Sequence, residues 1–189
     1  PNAINESIEG IDRVADIVRS LKEFAHPGQD EKTLVNLNDL IESTITVSRN
    51  TWKYVADLSA QLDPSLPTIP AYAGDLKQVI LNLIINAAQA IEEKQGPGGD
   101  VKGNISIKTA KSGENIAFTI SDTGVGIAPE NCGQIFEPFY TTKDVGKVTG
   151  QGLAISKRII VEKHHGTLDF DSKQGEFTTF HILLPTTEE

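Results

Sequence analysis

Between Gly74 and Gln95 runs a helix-length segment, GDLKQVILNLIINAAQAIEEKQ, that is apolar nearly all round except for Gln78, Asn82, Asn86 and Gln89. The polar stripe carries amides, not charges. Residues four apart on a helix sit within about 40° of each other, so Asn82 and Asn86 project from one surface. A solvated helix face would use Lys and Glu, and Asn is a mediocre helix former. Such a row is therefore expected to line a core or a cleft where amides find hydrogen-bonding partners. Taken alone, it fits core amides bonded to nearby backbone as well as a wall facing a polar ligand.

At 189 residues and 38% hydrophobic content, the chain suits one medium domain plus an appendage. A formal charge of -9 argues against a general nucleic-acid footprint, while leaving room for a local phosphate pocket. The single Cys132 excludes an internal disulfide and a cysteine-based zinc cluster, and it reads as a structural thiol. No apolar run reaches the roughly 18 residues of a membrane span, and no signal peptide opens the sequence. Starting at Pro1 and lacking Met, the chain is expected to be a piece of a longer protein.

Ile4, Ile8, Ile11, Ala15 and Val18 recur at spacings of four and three, a bundle or coiled-coil seam that His26-Pro27-Gly28 ends. Residues 1–28 are therefore read as one long helix and residues 29–189 as a separate domain. In that domain a short strand is expected at Thr33 to Val35, and a helix capped by Asn36 or Asn38 through about Ser48. Alternation at Ala56, Leu58, Ala60 and Leu62 predicts a strand, followed by a connection rich in proline (Pro64, Pro67, Pro70). Two hairpins are expected, Ile105 to Ile120 around Lys111-Ser-Gly113-Glu114, and Thr167 to Leu184 around Ser172-Lys-Gln-Gly175. Ser121 to Gly152 lacks periodicity, and a stretch that long in a compact domain marks a functional or disordered loop. A helix is expected from Leu153 to His164. The sum is an α/β sandwich with helices on one face of a mixed sheet.

Two further segments carry chemistry. Asp122-Thr123-Gly124-Val125-Gly126-Ile127 follows directly on a strand. A carboxylate there can accept from an exocyclic amine, and the glycines allow backbone to approach a flat ligand; an ordinary turn would use the same residues. Thr149-Gly150-Gln151-Gly152-Leu153 opens a helix, where free N–H groups and the helix dipole favour phosphate; a plain glycine cap has the same look. Thr141, Thr142 and Lys143 add hydroxyls and a cation upstream. An Asn oxygen is a hard ligand suited to Mg²⁺, which is commonly held by few protein oxygens plus phosphates. Together these segments describe a nucleotide site without a P-loop, since no G-x-x-x-x-G-K-[ST] occurs.

In order and spacing the segments resemble the catalytic and ATP-binding domains of two-component sensor histidine kinases, within the GHKL (Bergerat-type) ATPases. QVILNLIINAAQAI looks like the N box and DTGVGI like the G1 box. IFEPFYTTK looks like the F box and TGQGLAISKRIIVEKHHG like the G2 box, while FTTFHILLP resembles the last strand. ESIEGIDRVADIVRSLKEFAHPG resembles the second helix of the dimerisation and histidine-phosphotransfer hairpin of the nitrogen-regulation-like subgroup.

The resemblance implies a two-layer α/β sandwich that binds ATP and Mg²⁺ and transfers the γ-phosphoryl group to a histidine outside this chain, for relay to a response regulator. It implies that Asp122 binds the adenine amine with Thr178 beside it, that Asn86 ligates Mg²⁺, and that Asn82 is a catalytic orienter next to the triphosphate. Gly124, Gly126 and Ile127 belong to the base side. Residues 137 to 152 would form a lid anchored by Phe136 and Phe139, with Thr142, Lys143, Gly150, Gln151, Gly152 and Leu153 on the phosphates. The implied partners are a phosphoacceptor helix of the same or a partner subunit and a response regulator, with the full-length protein a homodimer. A cytoplasmic location is expected, with no nucleic acid and no membrane contact by this part, although the full-length protein can be anchored in the inner membrane. Phe177 departs from the family's usual Gly, His165 departs from its first Gly, and the phosphoacceptor helix is absent. His26, His164, His165 and His181 are read as structural. Two other readings stay open: a different GHKL ATPase or serine kinase, and a docking module without turnover.

Overall fold

The computed structural model describes residues 31–96, 99, 101–142 and 149–187. The long helix expected over residues 1–28, Lys143, and the lid stretch Asp144 to Val148 lie outside the described residues. The elements run β1 (Thr33–Val35), α1 (Leu37–Val47), a short α2 (Arg49–Trp52), β2 (Ala56–Gln61), β3 (Ile69–Ala71) and α3 (Ala73–Gln95). They continue with β4 (Gly103–Ser112), β5 (Asn115–Asp122), α4 (Gly152–Arg158), β6 (Thr167–Lys173) and β7 (Phe177–Pro185).

Five strands form one sheet in the order β2-β4-β5-β7-β6, with β2 parallel to β4 and the other neighbours antiparallel. The parallel pair follows from connectivity, because α3 lies between β2 and β4 as the crossover that parallel strands require. Both hairpins form with the expected turns, and Gly113 and Gly175 take the left-handed conformations (φ 62° and 80°) that the reversals demand. Helices cover one face of the sheet, as expected for a two-layer sandwich. Leu76, Val79, Ile80, Leu83, Ile84, Ala87, Ala88 and Ile91 of α3 are buried at spacings of three and four, facing the buried residues of β4 and β5. Each fully buried Ile or Leu contributes about 1.5–3 kcal/mol.

Asn36 caps α1, its Oδ1 accepting from the main-chain N–H of Asn38 at 3.0 Å and of Asp39 at 3.4 Å. Asn38 does something else: its Nδ2 donates to the Asp63 carbonyl at 2.8 Å and its Oδ1 accepts from Thr109 Oγ1 at 3.0 Å. The Asp63 N–H donates in turn to Thr109 Oγ1 at 2.9 Å, so a polar knot ties α1 and the β2–β3 connection to the sheet.

Two expectations are corrected. The proline-rich connection contains β3, whose Pro70 pairs opposite Leu34 of β1 in a two-stranded ribbon. A proline is tolerated there because each strand of such a ribbon has an edge free of ladder bonds. The helix expected to run unbroken to His164 is α-helical only through Arg158 and then widens into a π turn, Ile159–Lys163. The reason is tertiary. His164, 4% exposed, uses Nδ1 on the Ile159 carbonyl at 2.9 Å, while its Nε2 accepts the Tyr72 main-chain N–H at 3.1 Å. Tyr72 meets the imidazole edge-on at 5.5 Å between centroids, and Asp75 pairs with Lys163 at 2.6 Å close by. The start of α3 is thereby locked to the end of the π turn.

A main-chain N–H donating to Nε2 requires that nitrogen to be unprotonated, so His164 is neutral with its proton on Nδ1. Burial lowers its pKa below the ordinary 6.5. The unfolded chain then takes up a proton at a pH where the folded chain does not. The stabilising contribution is full above about 6.5 and falls as pH drops from there through the lowered value. Thermal unfolding at about pH 7.5 and 5.5 should show a larger loss for the wild type than for His164→Gln. Parallel losses would contradict the assignment.

Candidate functional site

The buried residues of β5 are Ile116, Phe118, Ile120 and Asp122, and those of β7 are Thr178, Phe180, Ile182 and Leu184. In register these pair as Ile116 with Leu184, Phe118 with Ile182, Ile120 with Phe180, and Asp122 with Thr178. An apolar ladder thus ends in one polar rung facing the helical layer. Asp122 and Thr178 are each only 4% exposed, and a carboxylate and a hydroxyl are not placed in core register without partners. Asp122 Oδ1 accepts the Gly124 N–H at 2.8 Å.

The glycines after Asp122 are required by the protein itself. A Cβ on Gly124 would fall 2.5 Å from Ala90 Cβ and 2.6 Å from the Ala90 carbonyl carbon of α3, and one on Gly126 would fall 2.2 Å from the Lys173 carbonyl oxygen. Gly126 also takes φ 67°. Backbone bonds run through the same contacts: the Val125 N–H donates to the Ala90 carbonyl at 3.1 Å, and Gly175 N–H to the Val125 carbonyl at 2.6 Å. Lys94 Nζ donates to the Thr123 and Glu176 carbonyls at 2.9 and 3.2 Å. The loop is clamped between α3 and the β6–β7 turn. Ile127 is half-buried and its N–H donates to Ser172 Oγ at 2.8 Å.

Along α3 the amide row divides. Asn82 Nδ2 donates to the Gly152 carbonyl at 3.2 Å, and that carbonyl also accepts from Ser156 Oγ at 2.8 Å, so Asn82 joins α3 to the start of α4. Asn86, one turn on and half-buried, makes no side-chain hydrogen bond among the described residues. Gln151 precedes α4 and its carbonyl accepts the Ile155 N–H at 2.9 Å; Leu153 packs on the core. Gly150 takes φ 65°, and a Cβ there would come within 2.7–2.9 Å of the backbone of Phe139 and Tyr140. The two ends of the expected lid therefore touch. Phe136 and Phe139 part company. Phe136 packs edge-on to Phe170 at 5.9 Å under Lys157 Nζ at 4.7 Å, whereas Phe139 is 72% exposed at φ 65°. Thr142 is exposed at the border of the described segment.

One continuous wall thus joins a buried carboxylate, an amide row and a glycine-opened helix, and the sequence comparisons fall on the same residues. The profile of the histidine kinase-, DNA gyrase B- and HSP90-like ATPase family matches residues 71–188. The chain belongs to this ATPase family. Among its relatives, the signal transduction histidine-protein kinase AtoS of Escherichia coli is 37% identical over 94% of the chain and 28% of AtoS. Sensor histidine kinase ZraS of the same organism is 36% identical over 92% of the chain and 35% of ZraS. The chain therefore spans about a third or less of the length of these relatives. The solved catalytic domain of histidine kinase ThkA superposes with a TM-score of 0.70 at 27% identity, covering 83% of this chain and 97% of that one.

Sequence reasoning missed Lys94, Ser156 and Ser172, because a lone Lys or Ser carries no local signal; only the fold brings them to this wall. The clamp on the Asp122 loop predicts that Gly124→Ala costs about 1–3 kcal/mol through overpacking. Gly133→Ala, where a Cβ meets nothing within 4 Å, should stay within about 0.5 kcal/mol of wild type by denaturant melts. Equal effects would contradict the clamp.

Proposed function

We propose that the chain is the Mg·ATP-binding catalytic domain of a sensor histidine kinase, delivering the γ-phosphoryl group to a histidine outside this chain for relay to an aspartate of a response regulator. The observation that carries this reading is the polar rung Asp122–Thr178 beside the amide row of α3. Asp122 accepts from the adenine amine, with Gly124, Gly126 and Ile127 fixing its loop and Thr178 at its side. Asn82 orients the triphosphate next to Gly150, Gln151, Gly152 and Leu153, whose backbone faces the phosphates, and Thr142 approaches from the border of the described segment; Lys143, outside the described residues, is assigned to the phosphates by the family resemblance alone. Phe136 and Phe139 border the lid, Phe136 by packing and Phe139 as an exposed ring.

Asn86 fits a hard cation: the residue is half-buried, and its amide oxygen is not occupied by another described residue. No group of three His, Cys, Asp or Glu among the described residues is placed to hold a metal. One amide oxygen with waters and phosphate oxygens is a donor set suited to Mg²⁺. When bound, the ion neutralises charge on the phosphates; the protein's part is positioning.

The names of AtoS and ZraS support the kinase reading, as does the structure of ThkA with its response regulator TrrA, at 26% identity and TM-score 0.71. On this reading the phosphoacceptor helix comes from the same or a partner subunit of a homodimer, and the domain works in the cytoplasm. No helix among the described residues is long and apolar enough to cross a membrane.

Calorimetric titration should give Mg-dependent ATP binding on the order of -4 to -8 kcal/mol. Asp122→Asn should weaken it by roughly tenfold or more, and Asn86→Ala should remove most of the Mg dependence. Undiminished affinity in Asp122→Asn would overturn the adenine assignment.

A further inference from the structure

Ser172 stands behind the polar rung and has no part in the reading above. It lies on β6, paired in register with Thr178 of β7. Its Oγ donates to the Phe177 carbonyl at 2.8 Å, accepts the Ile127 N–H at 2.8 Å, and lies 3.0 Å from Thr178 Oγ1. A serine hydroxyl has one proton and two lone pairs. The proton goes to the Phe177 carbonyl and one lone pair to Ile127, so the remaining lone pair takes the proton of Thr178. The Thr178 hydroxyl hydrogen is thereby turned away from Asp122, and Thr178 Oγ1 has only lone pairs left to offer the cleft.

We propose that Ser172 is the positioning residue that sets base specificity: by taking the Thr178 proton it makes Thr178 an acceptor beside the Asp122 carboxylate, so the rung selects a 6-aminopurine over a 6-oxopurine. The inference rests on the assignment of the base to the Asp122 side. An exocyclic amine brings hydrogens to both acceptors. A keto oxygen brings none and would face an acceptor beside two residues that are each only 4% exposed, an unmatched pairing that recognition sites penalise strongly. Without Ser172 the Thr178 hydroxyl is free to rotate and donate to a keto oxygen. The arrangement needs three segments at once: Ile127 from the clamped loop, Ser172 from β6, and Thr178 from β7.

The test measures dissociation constants of Mg·ATP and Mg·ITP by calorimetry for the wild type, Ser172→Ala, Ser172→Thr, Thr178→Val and the double variant Ser172→Ala/Thr178→Val. The wild type should prefer ATP. Ser172→Ala should lower the ATP-to-ITP preference by roughly tenfold, with much of the change a gain for ITP, and Ser172→Thr should restore it. Thr178→Val should also lower the preference, and adding Ser172→Ala to it should change the preference no further, since Ser172 acts through Thr178. Equal weakening of both nucleotides by Ser172→Ala, or a further shift in the Thr178→Val background, overturns the inference. If Ser172→Ala does not fold, an unchanged preference in Thr178→Val overturns it alone. Failure of the base assignment is distinguishable: the wild type would bind neither nucleotide, or Asp122→Asn would bind ATP as well as the wild type.

Discussion

Everything on the candidate ATP side depends on how closely one loop lies against one helix. The Val125 N–H reaches the Ala90 carbonyl at 3.1 Å, and the approach leaves no space for a Cβ at Gly124. That contact fixes the loop that follows Asp122, and the loop in turn gives its Gly124 N–H to the carboxylate and its Ile127 N–H to Ser172. A carboxylate in core register is costly unless its hydrogen bonds are arranged in advance. Here α3 arranges them. The same helix supplies the amide row, so the Asp122 loop and the Asn82–Gly152 contact share one rigid support, the kind of scaffold that keeps positioning over several ångströms accurate.

The β5–β7 ladder explains why the site lies where it does. Three apolar rungs belong to the core, and the fourth, Asp122 with Thr178, is a buried polar pair at the end of the same register. On the proposed function no separate structure is needed, because a polar pair at the end of an apolar register would turn the edge of the core into a recognition surface. From there the wall follows Asn86 and Asn82 to the Gly152 carbonyl, where the bonds from Asn82 and Ser156 converge. At the opposite end of α3, Tyr72, His164 and the Asp75–Lys163 pair hold the helix to the π turn. The helix is thus fastened at both ends, and the Asn86 amide between them makes no hydrogen bond among the described residues.

Much of this was legible in the sequence. Periodicity gave α3 to within two residues, and Gly113 and Gly175 marked the two hairpins because tight turns require their backbone freedom. The amide row and Asp122 could be read as chemistry because those residue types are out of place in such apolar surroundings. What stayed hidden depends on neighbours distant in the chain. Pro70 reads as a connector until Leu34 pairs with it, and the π turn needs the Tyr72 N–H to hold His164. The packing of the Asp122-loop glycines against Ala90 and Lys173 likewise has no local signal. Phe136 and Phe139 look alike in sequence, yet Phe170 packs against the first and the second lies exposed. The kinase reading itself came from the order of four boxes, which no single box carries.

The central claim is that the amide row of α3 faces metal and phosphate, with Asn86 nearest the ion. Replacing Mg²⁺ by paramagnetic Mn²⁺ in the ATP complex and recording side-chain amide signals by NMR tests it directly. The account predicts that the Asn86 amide broadens first, Asn82 next, and Asn36 and Asn38 of α1 not at all. A sharp Asn86 signal at saturating Mn·ATP would contradict it.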